Sequence, residues 1–175
     1  AAARALGVAV HVLDASAPFA AALARNEGAR ALVARHPDLA YVQFLDGDCI
    51  VAPGWLDSAE RALDADAACA IVFGHLREKN PQGSVYNLLC ALEWRSPSGP
   101  VANFGHLGGI MMVRRSVFEQ LGGFNPEVVA GVQVCDDRLS QVVAHLGSQR
   151  PQQRHRCLLL PLVPEPHAQP QLGVV

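Results

Sequence analysis

The apolar positions of this chain fall in short runs separated by longer stretches of mixed character. Ala1 to Leu6, closed by Gly7, reads as the last turns of a helix and not as the start of a domain. Val8 to Leu13 is β-branched and apolar and predicts a strand. Ser16 or Pro18 then opens an alanine-rich helix that reaches Arg35, and Pro37 with Asp38 breaks it. Tyr41 to Leu45 is a mainly apolar run between turn signals and predicts a buried central strand. Pro53-Gly54 makes a turn, and Trp55, Ala59, Ala62 and Leu63 have helical spacing. Ala68 to Phe73 predicts a second buried strand, 74–84 a polar loop, and Ser84 to Trp94 a helix. Pro97 to Gly105 returns to loop, Gly109 to Val113 predicts a strand, and Ser116 to Leu121 a short helix ended by Gly122-Gly123.

Strands alternating with helices predict a layered α/β fold with a mostly parallel sheet flanked by helices. The text changes character after Gly131. Residues 149–175 are dense in Gln, Pro, Arg and His and hold no sustained period, so little regular structure is expected there. The domain is accordingly expected over 1–131, with 132–175 as an atypical, irregular tail.

Composition narrows the class. With 175 residues, 50% of them hydrophobic and 17% charged, the chain can build one ordinary core and is not disordered. A net charge of -2 carries no electrostatic footprint for DNA or RNA, so no nucleic-acid partner is expected. No apolar run has the length of a membrane span. The 5 cysteines are odd in number and widely spaced, without a C-x-x-C pair, which argues against a zinc site. Cys49, Cys69 and Cys90 sit in apolar runs and read as core thiols of a reducing compartment. The expected location is cytoplasmic, including the membrane periphery.

Asp46-Gly47-Asp48 is the strongest chemical signal. It stands at the carboxyl end of a predicted strand, where open α/β sheets place their ligands. Two carboxylates two positions apart can face one hard divalent cation, Mg²⁺ or Mn²⁺, that also takes phosphate oxygens. The same residues also fit a plain Asp-Gly turn with Asp48 capping a helix.

A wider set of residues resembles the family 2 glycosyltransferases. It comprises Leu13-Asp14, Ala24-Arg25-Asn26-Glu27-Gly28, Tyr41 to Asp48, Pro53-Gly54-Trp55-Leu56, Tyr86-Asn87, Glu93-Trp94, Gly108 to Met112 and Phe118 to Phe124. Their order and spacing cover residues 1 to about 130. The resemblance implies a GT-A-like, Rossmann-related fold. It also implies an inverting transfer of a sugar from a nucleotide diphosphate sugar to an acceptor, which the sequence leaves open among saccharide, lipid or other. Asp46 and Asp48 would hold the metal, and Arg25, Asn26, Asp46, Gly108 and Gly109 would contact the donor. Arg25 otherwise reads as a solvated helix residue, and Gly108-Gly109 as an ordinary turn into a strand.

The chain departs from the family pattern twice. The nucleotide-recognition strand that normally opens the fold is not found before Ala1, so an incomplete domain is expected. The acidic pair that supplies the general base is displaced: Ala130 to Cys135 stands in its place, with Asp136 and Asp137 the nearest carboxylates. Asp136 and Asp137 are therefore the candidate catalytic residues. A frameshift would account for the altered tail, and little or no activity is expected of these 175 residues as they stand. Two rival readings remain open on sequence: a haloacid-dehalogenase-type phosphatase built on Asp46 and Asp48, and a non-catalytic transferase-like fragment.

Overall fold

The computed structural model describes residues 7–14, 16, 19–94, 98–100, 110–124 and 156–159. Its elements in chain order are α1 (Ala21–Arg35), β1 (Tyr41–Gln43), α2 (Trp55–Ala65), β2 (Cys69–Phe73), α3 (Val85–Glu93), β3 (Gly99–Pro100), β4 (Met111–Arg114), α4 (Arg115–Gln120) and β5 (Arg156–Leu159).

The strands form one sheet in the order β1-β4-β2-β5-β3. β4 lies antiparallel between β1 and β2, β5 runs parallel to β2, and β3 runs antiparallel to β5. The α/β layering expected from the sequence is present, but the mostly parallel sheet is not. One of the four pairings among the described strands is parallel. The cause is the insertion of β4. β1 and β2 do point the same way, joined by the crossover through α2, but β4 enters between them from the far side of the chain. All of β4 except Arg114 is buried, with Met111 and Val113 at 0% exposure, which is why it takes an interior position. β1 is consequently an edge strand of the described sheet and not a central one.

The register places side chains in alternating rows. Val42, Val113 and Ile71 stand abreast on one face, while Met112 and Val72 pair on the other. The first face carries a core of Ala29 from α1, Val117 and Phe118 from α4, and the aromatic trio Phe44, Phe118 and Phe124. The second face packs Ala59 and Leu63 of α2 against Cys69, Val72 and Met112. Helices therefore cover both faces, giving three layers.

Local chemistry sets the ends of the helices. Ser84 Oγ accepts the Asn87 N–H at 3.1 Å and caps α3. α4 closes in a Schellman turn: Gly122 N–H reaches Glu119 O at 3.0 Å, and Gly123 N–H reaches Phe118 O at 3.1 Å. Both glycines have positive φ, 73° and 81°. The C-terminus of α2 is held by Arg114. Its Nε donates to Cys69 O at 2.7 Å, and its Nη2 donates to Leu63 O and to Asp66 O.

Two further expectations change. Val8 to Leu13 forms no strand with the described residues; Val8, Val10 and Val12 are exposed, Val12 at 71%. A β-branched run signals a pleated, half-buried surface that needs a pairing strand, and the described sheet offers it none. Within 149–175, Arg156–Leu159 is an exception to the irregular reading, because it pairs with β2. Leu158-Leu159 of that strand belongs to the apolar run Cys157 to Val163 within this largely polar stretch.

Candidate functional site at the carboxyl edge of the sheet

β1 and β2 both end at the same edge of the sheet, and β4 begins there. The ladder runs one step past the strands: Phe44 N–H donates to Met111 O at 2.8 Å, and Gly74 N–H donates to Ile110 O at 3.1 Å. Asp46 to Asp48 leaves β1 at this edge. The turn is closed by Cys49 N–H on Asp46 O at 3.0 Å. Asp46, Gly47 and Asp48 are all exposed, and the space where a Gly47 side chain would stand is open. Trp55 seats the far end of this loop. Its indole N–H donates to Gln43 Oε1 at 2.9 Å, and its ring lies against Gly74, where a Cβ would stand 3.4 Å from it.

Arg25 and Asp46, far apart in sequence, meet here. Arg25 Nη2 donates to Asp46 Oδ1 at 2.7 Å. The guanidinium is also stacked over the Phe124 ring, 5.5 Å from its centroid. Phe124 in turn is fixed from two sides. Its ring meets Phe44 at 5.0 Å and Phe118 at 5.7 Å between centroids. Its backbone is clamped by Asn26, whose Nδ2 donates to Phe124 O at 2.8 Å while its Oδ1 accepts the Phe124 N–H at 2.8 Å.

Asn26 thus spends its amide on the loop after α4. A Cβ on Gly123 would stand 2.5 Å from Asn26 Oδ1, so the clamp closes only on a glycine. This link spans 98 positions, and local pattern gives no sign of it. Phe124 was legible only as the end of the Phe118-to-Phe124 motif, not as the platform beneath Arg25.

Glu27, next along α1, accepts from Arg30 Nη1 at 2.5 Å and lies 3.3 Å from His11 Nε2. The Arg30 hydrogen bond, with smaller help from His11, holds the Glu27 carboxyl below its usual range. Cys49 was expected in the core. It is instead half-buried beside the two aspartates. Partial burial raises its thiol pKa, and the charges of Asp48 and Asp46 raise it further. Trp94 is half-buried. Gly108, Gly109, Asp136 and Asp137 lie outside the described residues.

The donor set at Asp46 and Asp48 is oxygen only, exposed, and on one turn. That suits Mg²⁺ or Mn²⁺, which bind through one or two carboxylates and keep waters or phosphate oxygens for the rest. It does not form a closed protein cage. Among the described residues no group of three or more His, Cys, Asp or Glu side chains could hold a metal ion by itself.

Compared with known protein families, residues 2–122 match the model described as glycosyl transferase family 2. The chain belongs to that family. Among curated proteins, none matches the chain. The family match runs through Arg25, Asp46, Asp48 and the Gly122 turn, and it sets aside the haloacid-dehalogenase reading of the two aspartates. Among the described residues, no helix of this family 2 domain is long and apolar enough to cross a membrane.

Proposed function

We propose that this domain moves a sugar from a nucleoside diphosphate sugar to an acceptor hydroxyl, with inversion at the anomeric carbon and with Mg²⁺ or Mn²⁺ held by Asp46 and Asp48. The observation that carries this reading is the exposed Asp46–Asp48 turn at the carboxyl edge of the sheet, with Arg25 already on Asp46. When bound, the cation would offset charge on the diphosphate leaving group.

The chain's own residues supply the rest. Asp46 and Asp48 fix where the diphosphate sits. Arg25, with planar paired donors, suits a phosphate oxygen pair. Gly108-Gly109 would let the backbone approach the sugar closely. Asp136 or Asp137 would accept the acceptor hydroxyl proton as that oxygen attacks the anomeric carbon. The bond from that carbon to the diphosphate oxygen breaks in the same step, and the nucleoside diphosphate leaves with the electron pair. Asn26 acts one step back, by holding Phe124 beneath Arg25.

The test is calorimetric. UDP and GDP are titrated into the protein and its Asp48→Ala variant, with and without Mn²⁺. Metal-dependent nucleotide binding is expected in the parent and lost in the variant, while the thermal melt is unchanged because Asp48 is exposed. Equal nucleotide affinity with and without metal in both proteins would reduce the aspartates to a turn.

A further inference from the structure

We propose that Arg25 occupies, in the ligand-free domain, the counter-charge position that a divalent cation takes at Asp46, and that its guanidinium passes to the diphosphate when the donor arrives. This rests on the metal reading of the Asp46–Asp48 turn.

Four observations lead to it. Arg25 Nη2 bonds Asp46 Oδ1 at 2.7 Å, so an N–H already sits on one carboxylate oxygen of the pair. The arginine side chain is the more buried partner, at 26% exposure against 49% for the aspartate. Its head rests on Phe124, 5.5 Å from the centroid. That ring is immobilised by the Asn26 clamp and by Phe44, two positions before Asp46 on the same strand end. The guanidinium is therefore mounted on a fixed platform beside the aspartate, and is not a freely solvated side chain.

A guanidinium carries five N–H donors, and among the described residues Arg25 shows one side-chain hydrogen bond, that to Asp46. The remaining donors can meet phosphate oxygens as a pair. Asp48, two positions on, is exposed and carries no ion pair among the described residues. Charge logic then gives opposite effects for two ligands. A bare cation approaching Asp46 meets a positive charge already there, so Arg25 opposes it. A cation arriving with a diphosphate brings negative oxygens that accept both cations, so Arg25 assists it. A residue that merely braced the fold would weaken both.

The experiment measures Mn²⁺ alone, by the electron paramagnetic resonance signal of the free ion, and UDP or GDP with saturating Mn²⁺, by calorimetry. The proteins are the parent, Arg25→Gln, Arg25→Lys and Asp48→Ala. For Arg25→Gln we expect Mn²⁺ alone to bind about two- to fivefold more tightly, the scale of an exposed ion pair removed. Nucleoside diphosphate with Mn²⁺ should bind at least about tenfold more weakly, since charge-assisted bonds are lost.

Arg25→Lys keeps the charge but not the paired donors. It should leave Mn²⁺ alone unchanged while still weakening the nucleotide, and it carries the test if Arg25→Gln does not fold. Unchanged or weaker Mn²⁺ binding by Arg25→Gln, beside a parent that binds Mn²⁺ in an Asp48-dependent way, overturns this inference alone. A parent that binds no Mn²⁺, with or without nucleotide, overturns it together with the metal reading. Nucleotide affinity that is equal in the parent and Arg25→Lys overturns the transfer to diphosphate.

Discussion

Gly123 shows how one residue can join two distant parts of the site. Its φ of 81° is a conformation that other residues adopt at a cost, and a Cβ there would meet Asn26 Oδ1 at 2.5 Å. Gly123→Ala is expected to destabilise the domain by about 1–3 kcal/mol, as backbone strain and the opened clamp combine. Urea unfolding measures the cost, and a double-mutant cycle with Asn26→Ala identifies its source. If the clamp is the seat of the loss, the two substitutions together cost less than their sum; full additivity would place the effect in the backbone alone. The residue identities around the site could be read directly: Asp46 and Asp48 from a strand followed by a turn, Arg25 and Asn26 from the resemblance. Their partners could not, because a hydrogen bond across 98 positions leaves no periodic trace.

At the scale of elements, α2 and β4 depend on one arginine. Arg114 lies at the end of β4, over the Tyr41 ring at 5.6 Å, and it bonds carbonyls of Leu63, Asp66 and Cys69. Leu63 and Asp66 lie at the C-terminal end of α2, where helix carbonyls lack intrahelical partners and a cation is favoured, and Cys69 opens β2 just beyond it. Arg114→Met should cost about 2–3 kcal/mol, since the carbonyls are half-enclosed and lose charge-assisted bonds. Hydrogen exchange should speed up in the last turn of α2 and at Cys69 more than in α1. A uniform increase along the chain would contradict this local role. Arg114→Lys should recover little, because one ammonium cannot span three carbonyls. The positions of α1, α2, α3 and α4 were legible within a few residues, because Pro37, Gly54, Ser84 and Gly122 mark their ends. Val8 to Leu13 was not: strand propensity describes a surface that needs a neighbour, and the described sheet offers it none.

At the scale of the whole molecule, β4 is the keystone of the sheet, paired with β1 on one side and β2 on the other. Val113 stands at 0% exposure in the row between Val42 and Ile71. Val113→Ala should lower stability by about 2 kcal/mol, the loss of buried methyl groups plus the cavity they leave. The denaturation midpoint should shift without change in slope, and a shift below a third of that size would mean that the rows close over the gap. The sequence by itself determined the layered α/β class, the helix ends, the family and the aspartate turn at a strand end. Each of these follows from residues close together along the chain, through periodicity, capping or motif spacing. Only the tertiary structure decided that β4 enters antiparallel between β1 and β2, that Arg156–Leu159 joins the sheet, and that Asn26 and Phe124 together support Arg25 against Asp46. Those outcomes depend on which buried surfaces meet, and a strand's own side chains specify that it must be covered without specifying by what.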